Sequence, residues 1–349
     1  MNRSLNGEIS NQIMFSLLKK QLPMPLSKYM DICLTHPEHG YYPHKQVFGS
    51  KGDFVTSPEF TQLIGELLAV GIAYSQQKRP IELVEFGPGQ GKLMSDMLRT
   101  FNRLNIPIAK VHFIETSTKL KQIQKTALQQ YKVDINWADN IESISFQYPF
   151  ISVAHEFFDA IPIDKYEKIN SDWYSVNVME SEALETISEN ECRLKYRHLP
   201  VEKSFDHPDN KLEVSPIREE LMGKLCRALS THNGMMYIID YGKHGRISDS
   251  FRAIKDHKYI DPLTYPGEAD LTSDVDFKSL ANIAEANNLT ALYSSQKEFL
   301  HALGLRERVV QLLQSSPEKE KEIWQMYDRL VNMNAYQVLR IYSTQSVKL

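Results

Sequence analysis

Apolar positions along this chain change period several times, and each change marks an element. Ile13, Met14, Leu17 and Leu18 recur at helical spacing, so residues 9–34 are predicted to be helical. A loop rich in Pro, Gly, His and Tyr follows from Thr35 to Thr56. Ser57-Pro58-Glu59 then reads as a helix start, with Ser57 as N-cap and Pro58 at the first turn. The predicted body is Phe60–Gln76, carrying Leu63, Ile64, Leu67, Leu68 and Val70. From Ile81 to Ile163 short apolar runs alternate with helical patterns, which implies a parallel sheet. Between about 164 and 200 the period falls to two, as in Trp173–Val178 and Arg193–Arg197, which predicts an antiparallel insert. A helix over about Pro216–Thr231 leads to a buried strand, Met235–Asp240. Two last strands are expected near Ala291–Ser295 and Tyr336–Ser343. The expected organisation is an α/β, Rossmann-like chain: an N-terminal helical extension and lid over 1–80, then a doubly wound domain over 81–349 with an insert at about 164–234.

The turn after the first buried strand carries the most chemistry. Ile81–Phe86 runs into Gly87-Pro88-Gly89-Gln90-Gly91, and glycine is needed where backbone approaches a ligand closely or takes a positive φ. A dinucleotide fingerprint fails because Lys92 stands where its third glycine belongs. A P-loop fails because Leu93 follows Gly91-Lys92 and Phe86 replaces the first glycine. Glu85, just before the turn, disfavours phosphate and favours an amine. S-adenosylmethionine (SAM) is the nucleoside that combines these demands. Glu115, at the end of the strand Val111–Glu115, suits the two ribose hydroxyls. Asp139 is expected to hold the adenine amino group, with Asn140 beside it in the cofactor set. The helix start at Thr56 and Ser57 offers free backbone N–H groups to the SAM carboxylate, or closes the site.

The segment Ile151–Pro162 begins as a buried strand and ends in a turn with His155, Glu156 and Asp159. In doubly wound sheets, ligands bind beyond the carboxyl ends of the strands. Carboxylates pair bidentately with guanidinium, so Glu156 and Asp159 are candidates to orient an acceptor nitrogen, with His155 as proton acceptor. Acids at such a turn also serve as helix caps or pair with a local lysine such as Lys165. Tyr241 and Asp270 are candidate substrate contacts. Cys33, His36 and His39 have ligand-like spacing, but no second cluster completes a metal site, and none is expected.

Composition narrows the classes. At 349 residues, 42% apolar and 24% charged, the chain has room for one large domain with an insert or for two domains. A net charge of −4 leaves no general basic field for nucleic acid or anionic membrane. Cys33, Cys192 and Cys226 are odd in number and far apart, which fits a reducing compartment. Met1–Ser10 lacks an apolar signal core, and no apolar run approaches the ~20 residues that span a bilayer. A cytoplasmic location follows as an expectation.

Several motifs together resemble the MidA/NDUFAF7 family of SAM-dependent methyltransferases. They are Gly40-Tyr41-Tyr42, Gly52–Glu59, Glu85–Gly91, Glu156–Pro162, Ile239-Asp240-Tyr241-Gly242, Asp261-Pro262-Leu263, Pro266–Thr272 and Val275-Asp276-Phe277. The matches run in order from about residue 25 to 310. The resemblance implies a class I methyltransferase fold with a seven-stranded, mostly parallel sheet. It also implies methylation of arginine in a protein substrate, as in mitochondrial members that help assemble respiratory complex I. The chain departs at His155, where the family usually has Asn, and at Ser273-Asp274, where it usually has Ala-His. A second reading is a non-catalytic module of SAM-binding fold that holds a partner protein; a homodimer is open under either.

Overall fold

The computed structural model describes residues 12–44, 57–76, 79–181 and 194–343. The chain divides into two compact units, and neither is a continuous stretch of sequence. One comprises Val55–Phe158, Glu220–His244 and Phe277–Leu349; the other comprises Met1–Phe54, Asp159–Glu219 and Gly245–Asp276.

The first unit is doubly wound. Its strands are β1 (Ile81–Phe86), β2 (Ile108–Ile114), β3 (Asp134–Ala138), β4 (Phe150–His155), β5 (Met235–Lys243), β6 (Thr290–Ser295) and β7 (Tyr336–Tyr342). They lie in the order β6-β7-β5-β4-β1-β2-β3. Pairing is parallel from β5 through β3 and antiparallel where β7 meets β5 and β6. Every residue of β1 and β4 is buried, as central strands covered on both faces require. The strand order reverses between β1 and β4, so a crevice opens beyond their carboxyl ends. Helix Lys92–Leu104 links β1 to β2 and helix Thr118–Leu128 links β2 to β3. Helix Leu63–Gln76 packs closely on Lys92–Leu104: a Cβ on Gly65 would sit 2.7 Å from the Asp96 Cβ. Arg99 and Arg308 both reach the buried Glu66 carboxylate, at 3.1 and 3.0 Å.

The second unit is antiparallel. Asp172–Glu180 pairs with Met24–Pro25, Asp164–Ile169 and Leu194–Pro200, and Lys211–Val214 pairs with Asp164–Ile169. Arg252–Lys255 pairs with Lys258–Ile260 and Asp270–Thr272 in a smaller sheet. Met14, Leu18, Tyr29, Met30 and Leu271 share its core.

Several expectations need correction. The antiparallel region is more than an insert over 164–234. It is completed by N-terminal residues and by 245–276, while Glu220–Thr231 and residues 57–76 belong to the doubly wound unit. The helix expected over 9–34 is two helices, 12–19 and Leu26–Thr35. Pro23 and Pro25 lack an N–H and push the residue before each out of the α region, so the chain becomes extended and Met24–Pro25 joins a sheet. Ile13 is exposed, while Met14 and Leu18 are buried. The helix expected over 57–76 breaks into Ser57–Phe60 and Leu63–Gln76. There the Thr61 hydroxyl accepts the Leu63 N–H at 3.2 Å, a local bond that competes with the helical ladder. Ser57 opens the short helix instead of preceding it as N-cap.

Candidate functional site

Beyond β1 the glycines adopt the conformation their spacing implied. Gly87, Gly89 and Gly91 have φ of 59°, 50° and 77°, in the left-handed region that other residues enter at a cost. At Gly87 space is also limiting, since a Cβ would lie 2.9 Å from the Phe157 ring. Gln124, fully buried, braces this turn. Its Nε2 donates to the Gly89 carbonyl at 2.8 Å and to Glu115 Oε2 at 3.2 Å, and its Oε1 accepts the Trp137 indole N–H at 2.8 Å.

Glu85 is 4% exposed at the end of β1. Burial pushes its carboxyl well above the ordinary range, opposed only by the Met94 backbone N–H. Its Oε2 is buried without a hydrogen-bond partner. A carboxylate in that state fits an incoming ammonium group, and the amino group of SAM is one. Glu115 also lies at its strand end. Its Oε1 accepts the Ser117 N–H at 2.8 Å, and burial raises its carboxyl. Glu85, the glycine turn and Glu115 therefore fit the group expected from the sequence.

Two further cofactor candidates follow β3, beside Glu115, whose N–H donates to the Ala138 carbonyl at 3.1 Å. Asp139 is exposed, 3.5 Å from the Lys121 ammonium. Asn140 caps the turn Ile141–Ser143, its Oδ1 accepting the Ser143 N–H at 3.0 Å. Thr56 falls outside the described residues, as does the side chain of Ser57.

At the end of β4 the chain turns sharply. Glu156 has a φ of +50°, an uncommon conformation for a residue with a side chain. Its N–H donates to the Ile239 carbonyl at 3.0 Å. The fully buried Asp240 holds the next two residues, its Oδ2 accepting the N–H groups of Phe157 and Phe158 at 3.1 and 2.8 Å. Tyr336, on β7, donates its hydroxyl to Glu156 Oε1 at 2.5 Å. The Tyr241 hydroxyl is 2.8 Å from that of Tyr336, and the two rings lie 4.1 Å apart. His155 Nδ1 is 3.6 Å from Glu156 Oε1. Burial takes the His155 imidazole down to about 4, opposed by a backbone hydrogen bond at the same residue. Burial thus favours the neutral imidazole and weakens it as a base. Its buried Nε2 has no hydrogen-bond partner.

The structure thus gathers His155, Glu156 and Tyr241 with Asp240 and Tyr336, while Gln124 braces the glycine turn. Asp240 had a visible signal, an acid directly after an apolar run. Tyr336 and Gln124 had none, because their roles depend on strand register and helix packing.

Asp159 and Asp270 belong to the antiparallel unit. Asp159 is buried, and burial lifts its carboxyl to about 6 against the pull of the Arg218 and Arg252 guanidinium groups. Asp270 is buried and accepts the Tyr42 hydroxyl at 3.0 Å. Arg218 donates to the carbonyls of Asp159, Ile161 and Asp274 at 3.1, 3.1 and 2.8 Å, and to the Ser273 hydroxyl at 2.6 Å. Arg252 pairs with Asp274 at 2.7 Å. The departure at Ser273-Asp274 is therefore tied to two arginines. Lys165, a candidate partner for the turn acids, instead meets Asp249 at 2.6 Å. Among the described residues, no group of three or more His, Cys, Asp or Glu side chains could hold a metal ion, and Cys33 is buried with its thiol pushed up to about 12.

The chain is similar to several known proteins. Residues 63–295 match a family described as "Putative S-adenosyl-L-methionine-dependent methyltransferase". The human protein arginine methyltransferase NDUFAF7, mitochondrial, is 32% identical over 90% of this chain and 78% of its own length. The Drosophila melanogaster homologue is 31% identical over 94% and 82%. A superfamily member from Burkholderia thailandensis, crystallised with S-adenosyl-homocysteine, shares the fold with a TM-score of 0.86 at 20% identity, covering 99% of this chain and 95% of that one. The relatives' names overturn one expectation, the cytoplasmic location. It rested on cysteine usage, which reports redox conditions and not place, and on ten N-terminal residues outside the described ones. From the matched span, the identity and the shared fold, the chain belongs to the SAM-dependent methyltransferase family that includes NDUFAF7.

Proposed function

We propose that this protein transfers a methyl group from SAM to an arginine side chain of a protein substrate. The observation that carries the reading is the buried carboxylate of Glu85, with an unpartnered oxygen, at the edge of a turn of three left-handed glycines. Glu85 takes the amino group and Glu115 the ribose hydroxyls, with Gln124 holding Glu115 and the turn in register. The bound cofactor supplies a methyl group already activated on a sulfonium, so the protein's task is to position and desolvate. Glu156 supplies the carboxylate that orients the acceptor nitrogen and takes its proton. Its backbone is held by Asp240 through Phe157 and Phe158. His155, neutral, stands beside Glu156 with its Nδ1 3.6 Å from Oε1, and the proton is assigned to Glu156. The choice of arginine rests on the named relatives and on the affinity of carboxylate for guanidinium.

The test is methyl transfer from labelled SAM into a cell lysate, followed by mass spectrometry of the labelled proteins. Methylarginine is expected with the wild type, and about 100-fold less with Glu156→Gln at unchanged SAM affinity. Label confined to another residue type would refute the arginine reading. Loss of SAM binding in the variant would move Glu156 into the cofactor site.

A further inference from the structure

We propose that Tyr336 is a positioning residue for the reaction, fixing the Glu156 carboxylate toward the acceptor as the first of two linked tyrosine hydroxyls. This rests on the methyl-transfer reading above and extends it to a residue of the last strand. Three observations carry it. Tyr336 is 2% exposed, yet its hydroxyl lies within hydrogen-bond reach of Glu156 Oε1. The antiparallel register of β5 and β7 sets Tyr336 directly opposite Tyr241, which packs their rings at a 40° tilt and brings their hydroxyls to 2.8 Å. Glu156 has a left-handed backbone, a strained state that persists only where the surroundings over-determine it. Here the Ile239 carbonyl accepts its N–H, Asp240 holds the N–H groups of the next two residues, and Tyr336 holds its head.

Donor roles follow from proton counting. Each hydroxyl carries one proton and a carboxylate carries none. Tyr336 therefore donates to Glu156 and Tyr241 donates to Tyr336. Burial and the neighbouring Glu156 both raise the Tyr336 hydroxyl well above its ordinary value, so it stays a donor throughout the working pH range. When the acceptor nitrogen gives up its proton, the carboxylate receives it. Tyr336 neither gains nor loses a covalent bond; its role is to hold one oxygen so that the group does not rotate away. A rotating carboxylate would lose the near-attack geometry on which positioning depends.

Tyr336→Phe keeps the ring and its packing and removes only the hydroxyl. We expect kcat to fall by ~10-fold or more, with the SAM dissociation constant changed less than about twofold. The acid limb of the rate profile should move to higher pH, because a carboxylate that loses a donor becomes easier to protonate. Tyr241→Phe should show the same changes at smaller size, about two- to threefold in kcat. The double variant Tyr336→Phe/Glu156→Gln should be no slower than Glu156→Gln alone, since the tyrosine acts through the acid. An unmoved acid limb, a kcat within twofold of wild type, or additive losses in the double variant would overturn the proposal.

A second measurement needs neither turnover nor the Phe variant to fold. In protein labelled with ¹³C at tyrosine Cζ, Glu156→Gln should lower the pH at which the Tyr336 hydroxyl ionises. An unchanged titration would overturn the link. If the wild type methylates no arginine, the reading of function fails, and this titration still decides whether Tyr336 and Glu156 are coupled.

Discussion

Replacing Glu85 by Gln should separate two effects that share one cause. The side chain is 4% exposed and its Oε2 has no hydrogen-bond partner, so the ligand-free protein carries a buried acid whose proton is held tightly. A bound amine would make a charge-assisted hydrogen bond worth about 1.5–3 kcal/mol, and at about 1.4 kcal/mol per tenfold its loss weakens SAM binding by ~10- to 100-fold. The ligand-free protein should respond in the opposite direction. The folded carboxyl titrates above its unfolded value of 4.5, so the folded state holds a proton that the unfolded state has released. Stability from this group is complete below that unfolded value and is lost as pH rises through the folded one. Gln has no proton to lose, so the variant should melt higher than wild type near neutral and alkaline pH while binding SAM more weakly. SAM binding to wild type should also release a fraction of a proton, read by calorimetry as a dependence of the heat on the buffer's ionisation enthalpy. Equal affinities, or heats independent of buffer, would refute the reasoning that Glu85 meets a cation.

Three further outcomes follow from the geometry. The His155 value falls from 6.5 to about 4 on folding, so its neutral form adds stability that is complete above 6.5 and lost as pH falls through 4, about 3 kcal/mol in all. His155→Asn should flatten that window, and denaturation midpoints of the two proteins that stay parallel between pH 7.5 and 4.5 would exclude it. Arg218→Met would strand the carbonyls of Asp159, Ile161 and Asp274 with the Ser273 hydroxyl, and should cost about 3 kcal/mol or more by chemical denaturation; under 1 kcal/mol would deny Arg218 its bracing role. Gly87→Ala meets both a positive φ and the Phe157 ring at 2.9 Å, and should lose about 1–2 kcal/mol along with SAM affinity; a variant melting like wild type would show the turn to be adaptable.

Much of this was open to reading from local pattern. The doubly wound order was visible because β1 and β4 are mainly apolar, fully buried runs, β1 leading into glycines and β4 into acids. Helix Pro216–Thr231 and the last two strands fell close to their expected places. Misreadings arose where a local bond or an imino acid defeated periodicity. Thr61 broke one helix, and Pro23 and Pro25 broke another. At the site, Glu85 and Glu156 could be picked out because acids at strand ends are rare in apolar runs. The weakness of His155 as a base could not, since it comes from burial among distant residues.

By itself, then, the sequence determined what local chemistry controls: a strand, three glycines able to take positive φ, and an acid where a phosphate site would forbid one. Only the tertiary structure decided what lies at long separation in the chain. It drew the antiparallel unit from three segments, and through the register of β5 and β7 it set Tyr336 beside Tyr241 and onto Glu156, 180 residues away. Periodicity records which face of an element is buried, but register and burial depend on every neighbour at once, and no local window contains them.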